Sequence, residues 1–313
     1  MSYDRSKAID FAKANWTKPC EDGLIGLEEE HARLASLRAE KHAPEKDWDA
    51  LFVRDPGDGK SERGIFRKKG PPPQPDKPFV TFHELDDCAH YLSQCFIKGG
   101  ARIDTQFGVQ GLINGLQSLP NTKTLIEKCS ATSAERLVNL KILQPGDLIA
   151  YFNNSATSFG YTHSAMYVGD GGITCHTFCR FKGEAGSEDD DWDLGRSQGF
   201  TYTLVHFSAG DAIDPAAAKS LPGWWSVTYG GDRSFVFVLG DGRALRSTVA
   251  PKKATDPPRG GEPAYWFQTA STVRFSWRSS GDLEEWTLDS KNAVVKSQLS
   301  STGVIPGSAS KLF

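Results

Sequence analysis

The sequence predicts an α+β chain whose last third is a separate small antiparallel β-domain. Three observations carry this. Apolar residues recur at helical spacing in segments up to about residue 140, and strand-like runs follow between 147 and 207. Beyond residue 223 every apolar run is short, aromatic or β-branched, and bounded by Gly, Asp or Pro. The chain has 313 residues, 38% of them hydrophobic and 24% charged, so it can build a sizeable core. A net charge of −3 argues against a nucleic-acid binder working through a broad basic surface. No apolar run approaches the roughly 20 residues of a membrane span. The opening MSYDRSKAIDFAKANW lacks the apolar stretch of a signal peptide, which predicts synthesis in the cytosol with six reduced cysteines and no disulfide framework.

Taken in order, residues 3–48 read as helical. Ile9, Ala12 and Trp16 form one stripe, widened by Ala8 and Phe11, and the run LEEEHARLASLRAEKHA has helix-forming composition. Asp55–Pro78, rich in Gly, Pro and charge, reads as a long exposed loop, either a linker or the flank of a substrate groove. Further helices are predicted over the segment ending at Gly99-Gly100, over 106–118 and over 130–140. Strands are predicted at Asp147–Phe152, Thr162–Val168, Ile173–Phe178 and Phe200–Phe207, with SEDDDWD (187–193) a solvated acidic loop that does not match an EF-hand. These make a first domain, 1–212, that includes the insertion 55–78. Residues 208–223 read as a linker.

The second domain, 219–313, takes its strands from Trp224–Tyr229, Ser234–Leu239, Arg243–Thr248, Ala264–Thr269, Thr272–Arg278 and Leu283–Leu288, with a Ser-rich tail from about 297 loosely held. It holds five of the eight tryptophans: Trp224, Trp225, Trp266, Trp277 and Trp286. They read either as the aromatic core of a small β-fold or as a surface for glycan, peptide or delivery machinery.

The chemistry-bearing segment is FHELDDCAHYLSQCFIKGG (82–100). Leu85, Cys88, Ala89, Leu92, Cys95 and Phe96 recur at helical spacing, with two possible starts. Thr81 with Glu84 makes a capping box that places Cys88 in the second turn; Asp86 or Asp87 as N-cap places it in the first. Only in the first turn do backbone N–H groups and the helix dipole favour a thiolate. Cys88 and Cys95 otherwise read as buried core thiols. His90 lies about 200° around the helix from Cys88 and reads as surface or packing; Gln94 reads as a buried hydrogen-bonding residue.

A thiol nucleophile needs a base, and the base needs an orienting group. YTHSAMYVGDGGITCHTF (161–178) reads as a hairpin closed at Asp170-Gly171. Pairing Gly169 with Gly172 and Val168 with Ile173 puts Ala165 opposite His176 and places His163 and His176 on one face. A slip of one residue would separate them. Cys175, His176 and Cys179 contain no CxxC pair, so no metal site is predicted.

DDCAHYLSQCFIKGG, LQPGDLIAYF and THSAMYVGDGGITCHT together resemble the blocks of a bacterial putative amidase family within the papain-like superfamily that includes NlpC-type and CHAP enzymes; the opening helix is similar too. The resemblance implies a papain-like catalytic domain with Cys88 as nucleophile, His163 as base and His176 as orienter, acting without a cofactor on an amide in peptidoglycan or its stem peptides. His90 stands where the family often has a small polar residue or Asn, and the insertion 43–78 is atypical. A chain of this kind without a leader also resembles type VI secretion effectors, which implies secretion machinery, an immunity protein and action in a target-cell periplasm. A non-enzymatic binding protein and a papain-like acyltransferase are the competing readings.

Overall fold

The computed structural model describes residues 3–17, 24–28, 52–54, 63–68, 87–176, 180–185, 187, 189–208, 219–256, 258, 260–301 and 303–313. In chain order the helices are α1 (Arg5–Asn15), α2 (Cys88–Lys98), α3 (Val109–Gln117) and α4 (Ala131–Asn139). The first nine strands are β1 (Leu24–Glu28), β2 (Phe52–Arg54), β3 (Arg63–Lys68), β4 (Thr122–Cys129), β5 (Leu148–Asn153), β6 (Gly160–Gly169), β7 (Gly172–Cys175), β8 (Arg180–Phe181) and β9 (Thr201–Phe207). Eight more follow: β10 (Gly223–Tyr229), β11 (Asp232–Val238), β12 (Arg243–Ser247), β13 (Glu262–Thr269), β14 (Thr272–Trp277), β15 (Leu283–Leu288), β16 (Val294–Ser300) and β17 (Val304–Lys311). The chain divides into two compact units, residues 1–120 with 143–199, and 121–142 with 200–313.

In the first unit α1 starts at Asp4, whose side chain accepts from the Lys7 N–H. Its fully buried residues are the small Ala8 and Ala12, which let it pack closely on α2. Gly99, just past α2, is required by the same approach: a Cβ there would meet the Tyr3 ring at 2.5 Å. Tyr3 Oη donates to the Gly146 carbonyl, and Arg5 pairs with fully buried Asp147 over 2.6 Å, so the Pro-Gly-Asp turn before β5 is pinned to the first helix. Strands β5, β6, β7 and β8 pair antiparallel in sequence order, and α2 packs on β6 and β7. Strands β1, β3 and β2 form a separate three-stranded sheet. The predicted helix through 27–43 meets β1 at its start, with 29–43 outside the described residues, and Arg63–Lys68 within the predicted loop is a strand.

In the second unit β10 to β17 form a closed antiparallel barrel in which each strand pairs with its sequence neighbour and β10 pairs with β17. Alternate residues point inward. Trp225, Trp266, Phe275, Trp277 and Trp286 fill the centre, so the tryptophan-rich texture is chiefly that of a core. Strand β4, paired with β9, is tied to the barrel where Ser276 Oγ donates to the Leu125 carbonyl and Arg278 pairs with Glu127.

The expected papain-like α+β fold with a small appended β-domain is therefore corrected: strands dominate, the sheets are antiparallel, and the C-terminal portion is an eight-stranded closed barrel. The physical cause lies at the chain's end. The tail read as loose supplies the second half of β16 and all of β17, and β17 satisfies the edge of β10 that an open sheet would expose. The second unit also draws β4, α4 and β9 from the stretch read as the first domain. Residues 209–218 of the predicted linker lie outside the described residues. Among the described residues no helix is long and apolar enough to cross a membrane.

Candidate functional site around Cys88

Asp87 is the N-cap of α2 and Cys88 its first residue, which decides between the two starts left open by the sequence. The Asp87 backbone carbonyl accepts the first helical bond, from the Tyr91 N–H. Its side chain makes no cap bond. It turns instead into the protein, where it is 3% exposed.

There the carboxylate meets two imidazoles. Its Oδ1 lies 2.9 Å from His176 Nδ1 and its Oδ2 lies 3.2 Å from His90 Nδ1, with both rings fully buried. Burial alone would push the Asp87 carboxyl up. The charge and hydrogen bond of His176, followed by those of His90, outweigh burial and hold it well below the usual carboxylate range. An ionised carboxylate only accepts, so both Nδ1 atoms donate. His176 Nε2 faces the Asn15 carbonyl at 3.3 Å, so the ring is held between the start of α2 and the end of α1.

The His176 ring stacks on Tyr91 at 3.9 Å between centroids, and Tyr91 Oη bonds Thr174 Oγ1 and the Ala12 carbonyl. Thus α1, α2 and β7 are locked together around Asp87. His90 stacks on Phe107 at 4.8 Å.

The hairpin register differs from the expected one. Asp170 and Gly171 do form the turn, both at positive φ, and Gly169 does pair with Gly172. Val168 then bulges, so Tyr167 pairs with Ile173 and Met166 with Thr174. This is the one-residue slip: His163 alternates with Ala165 and Tyr167, and Thr174 faces with Met166 and Ser164. His163 stands opposite Tyr151 on β5, with ring centroids 5.3 Å apart. His176 follows the end of β7, and its ring nitrogens are directed to Asp87 and Asn15.

Cys88 is 4% exposed. It lies near enough to Cys175 that, after burial, its charge adds to the forces raising the Cys175 thiol to about 12, against the opposing influence of Arg180. Gln94 donates to Thr105 Oγ1. Among the described residues no group of three or more His, Cys, Asp or Glu is arranged to hold a metal ion; Cys179 lies outside them.

Sequence reasoning left Asp87 as a candidate cap and His90 as surface or packing. The signal for their pairing was the Asp-x-x-His spacing, which places the N-cap and third helical residues side by side. No family model, curated protein or solved structure matches the chain.

Proposed function

We propose that the protein is a cysteine hydrolase cleaving an amide bond in peptidoglycan or its stem peptides, with Cys88 as nucleophile and His163 as general base. The observation that supports it most is the position of Cys88 at the first residue of a helix packed on the strand that carries His163. The N–H groups of a helix's first turn have no acceptor within the helix, so negative charge is favoured there. The neighbouring Asp87 carboxylate is engaged on both oxygens by the His176 and His90 imidazoles.

In the reaction His163 takes the thiol proton and the Cys88 sulfur adds to the amide carbon. The C–N bond then breaks, and the amine leaves with the proton returned by His163. Water, deprotonated by the same imidazole, hydrolyses the thioester and regenerates the thiol. His176 acts as a positioning residue through Asp87, fixing the turn that carries Cys88. The substrate class rests on the likeness of about 3–16 and 79–180 to the amidase family, and with it come secretion machinery and an immunity protein as partners.

The second reading, a non-enzymatic binding protein, is favoured by the 4% exposure of Cys88. Incubating the parent and Cys88→Ala with peptidoglycan and defined stem peptides, and identifying new amine and carboxyl termini by mass spectrometry, separates the two. Cleavage by the parent alone supports the hydrolase. Silence from a folded parent on every substrate favours the binding protein, and equal cleavage by both removes Cys88 from the chemistry.

A further inference from the structure

One end of the barrel is not filled. Inward alternation on the strands brings Tyr229, Ser234, Arg246, Glu262, Leu299 and Ile305 around a cavity of about 490 Å³. That volume falls in the small-molecule range, and the mouth of a β-barrel is a recurrent place for such sites. Below it the interior closes on Trp277, whose ring carries the Arg246 guanidinium 4.5 Å from its centroid.

The lining charges balance. Two cations, Arg233 and Arg246, stand against two anions, Asp232 and Glu262; Arg246 is paired with Glu262 and also reaches Asp282, outside the lining, at 3.4 Å. Arg233 turns to the outer side of β11, where its Nε donates to Ser226 Oγ over 2.8 Å, so a charged ligand inside the cup would have to break the Arg246–Glu262 pair and leave a counter-charge unmatched. A neutral ligand carrying several hydroxyls loses nothing of this kind: it accepts from guanidinium N–H groups, donates to carboxylate oxygens and exchanges both with the lining hydroxyls. Leu299 and Ile305 present an apolar side that suits the C–H face of a ring. We infer that the barrel mouth is a binding site for a neutral polyhydroxylated small molecule of about one or two pyranose rings. The site stands on the barrel alone and is independent of Cys88.

Isothermal titration calorimetry of the full chain with N-acetylglucosamine and its β-1,4 disaccharide tests it, with inorganic phosphate and spermidine as charged probes. Two variants shrink the cup: Ser234→Tyr from the wall, and Thr248→Tyr from an exposed rim position where folding is least at risk. The parent and Cys88→Ala bind a sugar probe, both cup variants lose at least about tenfold in affinity, and the charged probes give no heat. Absence of binding by either sugar to protein with native near-UV circular dichroism overturns the site, as does sugar binding unchanged in both cup variants. Binding of phosphate or spermidine that the cup variants block overturns the assignment to a neutral ligand.

Discussion

Asp87 and His176 are 89 residues apart in the chain and meet as a fully buried carboxylate–imidazole pair, Nδ1 donating to Oδ1 over 2.9 Å. This contact joins the start of α2 to the end of β7, and His90 adds a second bond from within the helix. It has the distances of a charge-assisted hydrogen bond in a site without water competition.

The pair makes stability acid-sensitive in a defined direction. The Asp87 carboxyl is depressed in the folded protein, so it binds its proton more readily when unfolded. Its contribution is fully present above about pH 4, the usual range for an unfolded carboxyl, and is lost as pH falls through the depressed folded value. Asp87→Asn removes the charged acceptor of two buried imidazole N–H groups and lowers stability by about 1–3 kcal/mol at neutral pH. Urea unfolding of parent and variant between pH 2 and 7 measures both, and the difference between them narrows at the acid end. A difference independent of pH would show that the pair carries no linked proton.

The four described buried cysteines differ in expected reactivity. Burial pushes the Cys175 thiol up to about 12, with Arg180 only partly offsetting it, and burial likewise takes Cys129 to about 11. The proposed nucleophile at the start of α2 is expected to react at pH 6, where such groups are inert. Iodoacetamide at that pH, mapped by peptide mass spectrometry, modifies Cys88 at least about tenfold faster than Cys129 or Cys175. Equal rates would make Cys88 a structural thiol and favour the binding-protein reading.

What could be read ahead of the structure, and what could not, follows from the range of the interactions involved. The helices at 109–117 and 131–139 and the six aromatic strands from 223 to 288 were visible because period and composition are local. The Asp170-Gly171 turn was visible for the same reason, but the bulge at Val168 was not, since a bulge depends on what the flanking strand must pack against. That one residue changed which side chains share a face with His163. Strands β16 and β17 were hidden because their outward positions carry Lys296, Gln298 and Ser308 and their inward ones include Ser297 and Gly307. They are strands by virtue of pairing with β15 and β10, whose edges they cover. Asp87 was legible as a cap and illegible as a counter-ion, because its main partner is 89 residues away.

Inside the barrel Glu284 is fully buried, accepting from Tyr229 Oη at 2.7 Å, Trp286 Nε1 at 2.6 Å and Trp277 Nε1 at 3.0 Å. Burial raises its carboxyl above the usual value despite these donors. An acid whose folded value is raised stabilises most at low pH, and that share is lost as pH climbs from the unfolded value through the folded one. Glu284→Gln removes this pH dependence. It also turns an amide N–H toward one of three donors, lowering stability by about 1–3 kcal/mol. Thermal unfolding at pH 4 and pH 8 reads both effects; a Gln variant as stable as the parent at both would mean the three donors find other acceptors.

Closure of the barrel depends on its last strand. Residues 304–311 pair with both β16 and β10, and Arg136 of α4 donates to the carbonyls of Ser300 and Ser301 at the turn leading into it. Truncation after Ser300 strips β10 and β16 of a partner at once, leaving two exposed edges beside a tryptophan core. Trp225 and Trp286, whose rings lie 4.9 Å apart near that seam, then meet water. The shortened chain loses the cooperative unfolding of the second unit and its tryptophan emission shifts to the red, while bonds confined to the first unit, such as Arg5 with Asp147, are left in place. Limited proteolysis of full-length and truncated protein distinguishes the outcomes: new cleavage within 121–142 and 200–300 is expected, and an uncut, blue-emitting truncated protein would show that seven strands suffice.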